Sequence, residues 1–429
     1  IEILSVKDAA DGDDEGLGML TLVDGNFTSA GTIDLTGMVD TDSVASINAA
    51  AELTSVLTIK GGSAADTIVG GAKGDTITGG VGTDTITGHL GADTITGGAG
   101  VDTFIYTAAT HSTTSGADSI TDFVSGIDKL QVTIDLSSKT TSQTVDTAIQ
   151  AGAKGTSAVQ AGLSGSVGQA TYDTTNSQLV INANADNLVT TLDYVIGVNA
   201  GATAATTIAE GDINFVITTG SGIDTIVDGG GGSTITGGGA ADTITGGDGA
   251  DDIRVGTGTG DTIVYSTNTD GGALVTITST VGTADDFAQS TADVITSDWA
   301  VASDFIKFDG ALEASLEASA VDKVSSTTAS LDYDAAGIYI IVTAQQALGG
   351  TDFGDVSAVV TAFNAGNGTV ANNTAGDEVV FSLENTSAAH TGFYYFKDVD
   401  GDGDASVGDV IALLGVVNDA TVTVTELIL

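Results

Sequence analysis

The stretch GGVGTDTITGHLGADTITGGAGVDTFIY (79–106) states one pattern three times. Each pass runs Gly-Gly, a small residue, Gly, any residue, Asp-Thr, a large apolar residue, Thr. Extended backwards, the phase divides residues 61–105 into five nonapeptides: GGSAADTIV, GGAKGDTIT, GGVGTDTIT, GHLGADTIT and GGAGVDTFI. Their sixth residues are Asp66, Asp75, Asp84, Asp93 and Asp102, and two places later come Ile68, Ile77, Ile86, Ile95 and Phe104. The glycine-rich half of each unit is turn material, because glycine reaches positive φ without steric cost. The Asp-Thr-Ile-Thr half is a short strand with one large side chain to bury. Two units make one coil of turn, strand, turn, strand, so residues eighteen apart lie one above the other. Asp66 then stacks with Asp84, Asp75 with Asp93, and Asp84 with Asp102.

Rows of carboxylates on a coil edge repel unless a cation neutralises them. The turns offer backbone carbonyls as further oxygen ligands, and an all-oxygen, flexible set suits Ca²⁺ better than Mg²⁺, which demands a stricter octahedron. Zinc is disfavoured, since the chain has three His and no Cys. A second block keeps the phase: TGSGIDTIV (219–227), DGGGGSTIT (228–236), GGGAADTIT (237–245) and GGDGADDIR (246–254), then one extra residue, Val255, and GTGTGDTIV (256–264). It contributes Asp224, Asp242, Asp251 and Asp261. Ser233 stands where an aspartate is expected and Asp261 follows Asp251 by ten, so this block reads as a shorter roll whose best stacked pair is Asp224 with Asp242.

These units resemble the nonapeptide repeats of the RTX (repeats-in-toxin) proteins, Gly-Gly-x-Gly-x-Asp-x-apolar-x. The resemblance implies an all-β fold of calcium-bound parallel β-rolls, and export by a type I channel through an uncleaved C-terminal region, which the ending VTVTELIL is similar to. Departures from the pattern are Ala64, Lys73 and His89. Each block is followed by a similar closing phrase, DTFIY…ADSITDFVSGIDKL and DTIVY…ADVITSDWAVASDFIKF. Phe123 and Trp299 there are expected to cover the apolar ladder, and Asp128 and Asp304 precede the closing strands. Further on, QLVINANADNLVTTLDYVIGV (178–198) aligns with YYFKDVDGDGDASVGDVIALLGV (394–416). The second copy places Asp398, Asp400, Asp402 and Gly403 at positions 1, 3, 5 and 6 and Asp409 at position 12 of an EF-hand-like loop, with Asp404 beside them. The first copy offers Asn182, Asn184, Asp186, Asn187 and Asp193, a set with much less charge and correspondingly weaker or no binding.

Composition points the same way. The chain has 429 residues, 57 acids against 10 Lys+Arg, a formal charge of −47, 60 Gly, no Pro and no Cys. Only nine of the acids are Glu, leaving 57 − 9 = 48 Asp, the residue of turns and short-reach ligation. Such a charge self-repels in a compact state without cations, and no basic patch is available for nucleic acid. The 41% hydrophobic content argues against disorder. No run of 18 apolar residues spans a membrane. The acidic stretch 8–16 reads as an exposed loop or a weak cation site. The chain opens IEILSV, without Met, as a processed or truncated piece would.

The organisation expected is an N-terminal β-solenoid-like segment (1–60), a first roll and cap (61–130), a β-hairpin subdomain (131–218), a second roll and cap (219–308), and a C-terminal β subdomain with the calcium loop and secretion signal (309–429). Helices are expected within 145–163 and 352–366 from their alanine-rich periodicity. No His-Glu-x-x-His, Gly-x-Ser-x-Gly, Walker or dinucleotide motif occurs, so no catalytic role is expected. Two function classes remain. One is a calcium-dependent, self-assembling extracellular structural protein, since phrases such as AAELTSVLTIKGGSAADTIVGG resemble RTX-type bacterial surface-layer (S-layer) proteins. Its partner is then itself, with cell-surface polysaccharide reached through a region outside this chain. The other is a secreted adhesin or binding module, or the C-terminal secretion module of a larger RTX enzyme. About five to eight ions are expected from the stacked pairs plus the loops.

Overall fold

The computed structural model describes residues 2–7, 17–147, 149–150, 167–173, 177–183, 193–199 and 208–267, and shorter pieces from 275 to 428, chiefly strands and including 390–400 and 409–417. The fold is almost entirely β. It divides into two compact units, residues 1–134 with 145–216, and residues 135–144 with 217–429.

The first unit is a solenoid. Its strands are β1 (Glu2–Lys7), β2 (Leu17–Val23), β3 (Ala30–Gly37), β4 (Ala45–Ala51), β5 (Val56–Lys60), β6 (Thr67–Val69), β7 (Thr76–Val81), β8 (Thr85–Thr87), β9 (Thr94–Ala99), β10 (Thr103–Tyr106), β11 (Asp118–Ile120) and β12 (Lys129–Asp135). Successive strands alternate between two parallel sheets, the odd-numbered in one and the even-numbered in the other. Registers fall where an eighteen-residue coil puts them: Ile68 opposite Ile86, Ile77 opposite Ile95, and Phe104 opposite Ile86.

The apolar ladders run beyond the nonapeptides at both ends. Ile47 lies under Ile68 and Leu130 beyond Phe104 in one sheet; Ile33 and Ile59 precede Ile77, and Ile120 follows Ile95, in the other. Every one of these side chains is buried. A three-residue strand such as Thr85–Thr87 buries only its central residue, so each is held by its neighbours above and below.

After β11 the pairing changes hand. Ala170–Asp173, Gln178–Ile181 and Tyr194–Val198 form an antiparallel meander, and its last strand pairs parallel with β11. Phe123 packs on Phe104 with ring centroids 6.2 Å apart, and Tyr106 meets Tyr194 edge-on. The ladder is thus closed by an aromatic, as the sequence implies; Trp299 and Asp304, assigned the same place in the second copy, lie outside the described residues.

The second unit repeats the scheme. Thr225–Val227 pairs with Thr243–Thr245, and Thr234–Thr236 with Asp252–Arg254. Thr262–Tyr265 pairs with Thr243–Thr245 on one side and Phe305–Phe308 on the other. Glu378–Asn385, His390–Lys397 and Val410–Val417 form its antiparallel meander.

One expectation fails. The helix expected over 145–163 begins in strand: Thr144–Asp146 and Ile149–Gln150 are both extended. Val145 is buried and bridges Val167, so tertiary pairing overrides the alanine-rich helical period there; residues 151–163 are not described. Within 352–366 only 359 and 360 are described, and both are helical.

Candidate calcium sites

The aspartates of the repeats face inward, and each is buried. One carboxylate oxygen of each takes a backbone N–H from the coil before it. Asp66 N–H donates to Asp84 Oδ1 (2.8 Å), Asp75 N–H to Asp93 Oδ1 (2.7 Å) and Asp84 N–H to Asp102 Oδ1 (2.9 Å). The run starts on non-acidic residues, with Ala45 N–H on Asp66 and Leu57 N–H on Asp75. Stacking at eighteen residues therefore occurs through a charge-assisted bond between coils.

The second oxygen faces the turn. In Asp66 and Asp75 it accepts the N–H of Gly62 and Gly71, both at 2.7 Å. In Asp84, Asp93, Asp224 and Asp242, Oδ2 is buried and has no hydrogen-bond partner. A Cβ on Gly79 would lie 2.3 Å from Asp84 Oδ2 and 2.6 Å from the Gly97 carbonyl oxygen. A Cβ on Gly88 would lie 2.4 Å from Asp93 Oδ2, and one on Gly97 would lie 2.3 Å from Asp102 Oδ2. Gly61 and Gly79 thus each leave a cradle between the carboxylate of their own unit and a carbonyl of the next coil, all oxygen and without a side chain to fill it.

Among the described residues Asp66, Asp75, Asp84, Asp93, Asp102, Asp224 and Asp242 meet no Lys or Arg in an ion pair; Arg254 with Asp252, both partly exposed, is the pair found. Burial raises the carboxyl of Asp75 from its ordinary 3.8 to about 6, that of Asp84 to about 6 and that of Asp242 to about 7. Burial raises Asp93 too, with the Asp118 charge adding to it. Buried, uncompensated oxygens around a cradle are the donor set of a hard divalent cation. The residues fit Ca²⁺.

The departures have local explanations. His89, in place of a second-position glycine, adopts the left-handed φ of 74° that glycine would supply. Its Nδ1 lies 3.2 Å from the Gly71 carbonyl oxygen, and its ring packs on that of His111, centroids 5.0 Å apart and planes tilted by 57°. Neither Ala64 nor Lys73 needs a positive φ. The extra Val255 is buried, and the register shifts to nineteen: Thr243 faces Thr262, and Asp242 N–H donates to Asp261 Oδ1 at 2.8 Å. Asp224 N–H donates to Asp242 Oδ1 at 2.8 Å, so the expected pair forms and Asp261 extends it. Asp251 Oδ1 receives the N–H of Ser233 at 2.7 Å.

Three further aspartates join the arrangement unannounced by the motif. Asp118 Oδ1 accepts the N–H of Asp93 and Asp128 Oδ1 that of Asp102, so the cap supplies the next rung on each edge. Asp122 takes the N–H groups of Gly97 and Gly98. The usable signal was the ADSITDF phrase itself, whose Asp-x-Ile repeats the sixth-to-eighth places of a nonapeptide although it falls outside the nine-residue phase. The second unit likewise starts its edge on Gln143, whose N–H donates to Asp224 Oδ1.

The EF-hand-like loop is partly described. Asp398, Asp400 and Asp409 each offer a carboxylate oxygen, all within 4.8 Å of one another. Val399 N–H donates to Asp409 Oδ1 at 2.7 Å, which ties the second and twelfth positions. In the first copy Ala183 N–H donates to Asp193 Oδ1 at 3.0 Å, the same bond in the same frame. Both loops are flanked by antiparallel strands. Asp402, Asp404, Asn184, Asp186 and Asn187 lie outside the described residues, as does the acidic stretch 8–16.

Two family matches follow these features. Residues 54–208 match the family described as Peptidase M10 serralysin C terminal, a non-catalytic region of those peptidases, and residues 218–253 match the RTX calcium-binding nonapeptide repeat in four copies. No curated protein matches the chain. No described helix is long and apolar enough to cross a membrane. The chain therefore carries RTX nonapeptide repeats, which bind Ca²⁺, and a serralysin-type C-terminal region, the make-up of a secreted calcium-binding protein.

Proposed function

We propose that this chain is a calcium-dependent, self-assembling structural protein of the cell exterior, a surface-layer or filament subunit whose partner is a second copy of itself. Asp66, Asp75, Asp84, Asp93, Asp102, Asp224, Asp242, Asp251 and Asp261 hold the ions of the coils, and Asp398, Asp400, Asp402, Asp404 and Asp409 those of the C-terminal loop. The observation that carries the reading is a set of exposed apolar side chains on the first described coils. Large apolar side chains on these coils face solvent: Ile3, Met19, Val23, Val39 and Leu53 are each more than half exposed. Exposed large apolar side chains of this kind favour contact with another chain.

A second reading rests on the serralysin-type match over 54–208. That region follows a catalytic domain in the peptidases, so the chain would serve as the export and folding module of a larger protein. Calcium titration of metal-stripped protein separates the two when circular dichroism and negative-stain electron microscopy are read on the same samples. Folding with ordered sheets or filaments supports assembly. Folding to stable monomers supports the module, and a β fold indifferent to chelator removes calcium from both.

A further inference from the structure

Aligned on their phase, the repeats show one regularity that the motif does not contain. Glycine or threonine opens every unit from 61 to 105 and from 219 to 264 except one, DGGGGSTIT, which opens on Asp228 and lacks the sixth-position aspartate, having Ser233. The nine residues before the first nonapeptide, ELTSVLTIK (52–60), do the same: Glu52 opens them and Leu57 stands sixth. Of the described positions that take the place of the sixth residue without a carboxylate (Ala45, Leu57, Gln143 and Ser233), the two that lie in the nine-residue phase, Leu57 and Ser233, have an acid opening the same nine residues.

The structure makes the two places equivalent. Leu57 N–H donates to Asp75 Oδ1 as Ser233 N–H does to Asp251 Oδ1. A Cβ on Gly71 would meet the Glu52 carbonyl oxygen at 3.0 Å, and one on Gly247 would meet that of Asp228 at 2.6 Å. Both acids are buried, Glu52 completely. Asp228 Oδ2 accepts the Ser233 hydroxyl at 2.9 Å. Glu52 Oε1 accepts the N–H groups of Thr54 and Ser55 at 3.1 and 3.0 Å, while Oε2 is buried without a partner. The point 3.0 Å from the Glu52 carbonyl is also 3.4 Å from Asp75 Oδ2. The Glu52 charge bears on the Asp75 carboxyl, and no Lys or Arg forms an ion pair with either among the described residues.

We propose that an acid opening a coil replaces the missing sixth-position aspartate, so that Glu52 with Asp75, and Asp228 with Asp251, each hold a divalent cation at a coil the repeat motif leaves out. At Glu52 a fully buried carboxylate with one unpartnered oxygen needs a cation or a proton; Asp228, which holds the Ser233 hydroxyl, is included on its equivalent backbone place. The neighbouring carboxylate and carbonyl supply the remaining hard donors of a calcium site. This inference rests on the calcium reading of the coils and extends it to two turns that the sixth-position rule excludes.

The test is calcium stoichiometry of the full chain by native mass spectrometry and equilibrium dialysis, comparing wild type with Glu52→Gln, Asp228→Asn, the double variant and Asp84→Asn. Each opening-acid variant is expected to bind one ion fewer, or to hold that ion at least tenfold more weakly, and the double variant two fewer. Unchanged binding in Glu52→Gln beside a loss in Asp84→Asn overturns the proposal while leaving the calcium reading in place. No loss in any variant overturns both. Should Glu52→Gln fail to fold, terbium-soaked wild-type crystals decide: an anomalous peak about 2.3–2.6 Å from Glu52 Oε2 supports the site, and no peak there overturns it.

Discussion

Asp84 shows how much one side chain is asked to do. Its Oδ1 holds the Asp66 amide across the coil boundary and its buried Oδ2 faces the cradle left by Gly79. Asp84→Asn keeps an acceptor for the amide and removes the charge. Calcium affinity should fall at least tenfold in an isothermal titration, with little change in the chelated protein. Gly79→Ala does the reverse, keeping the charge and filling the cradle with a Cβ 2.3 Å from Asp84 Oδ2. It should weaken calcium binding at that turn as well, and calcium-dependent melting will show whether it does.

Protonation competes with the metal for these oxygens. The raised values of Asp75, Asp84 and Asp242, about 6, 6 and 7, lie above the ordinary 3.8. In chelated protein the folded chain binds more protons than the unfolded one between pH 4 and 7, so its stability is full below that range and falls as pH rises through it. Dialysed, metal-free protein should therefore melt higher at pH 5 than at pH 8. With calcium the order reverses, because the cation requires the deprotonated carboxylates.

The strands are too short to be stable alone, and what holds them is the stack. Ile86 is buried between Ile68 and Phe104. Ile86→Ala should cost about 2–5 kcal/mol in the calcium-loaded protein, measured by denaturant titration, since the rigid neighbours above and below cannot close the cavity. The nine-residue phase made the coil, its register and the inward isoleucines readable from sequence, because each unit repeats the same local chemistry. It could not reveal Asp118, Asp128 or the Gln143 start, whose partners lie 25, 26 and 81 residues away. Rungs formed across insertions leave no period to detect. The helix expected from 145 was misread for a related reason: alanine spacing is a local signal, and Val145 answers to Val167.

For the chain as a whole, charge decides the conditions under which it folds. A formal −47 on 429 residues, with aspartates buried in both units, has few basic side chains to offset it. Each site filled only in the folded state adds about 1.4 kcal/mol of stability per tenfold rise in free calcium once saturated. The slope of unfolding free energy against the logarithm of free calcium therefore counts the ions, and about five to eight are expected from the stacked pairs and loops. Sodium at matched ionic strength should not substitute, because screening acts weakly on buried groups.

The bond between coils is insensitive to how much chain lies between its partners. Amide and carboxylate meet at 2.6–3.0 Å whether separated by 18, 19, 21, 25, 26 or 81 residues. Pitch and contour length are thus decoupled: the stack advances by one fixed step while the connection can be a bare turn or an excursion of any size. Such a scaffold accepts passengers at its corners without losing count, so new surface loops can be acquired one turn at a time while the spine beneath them stays the same.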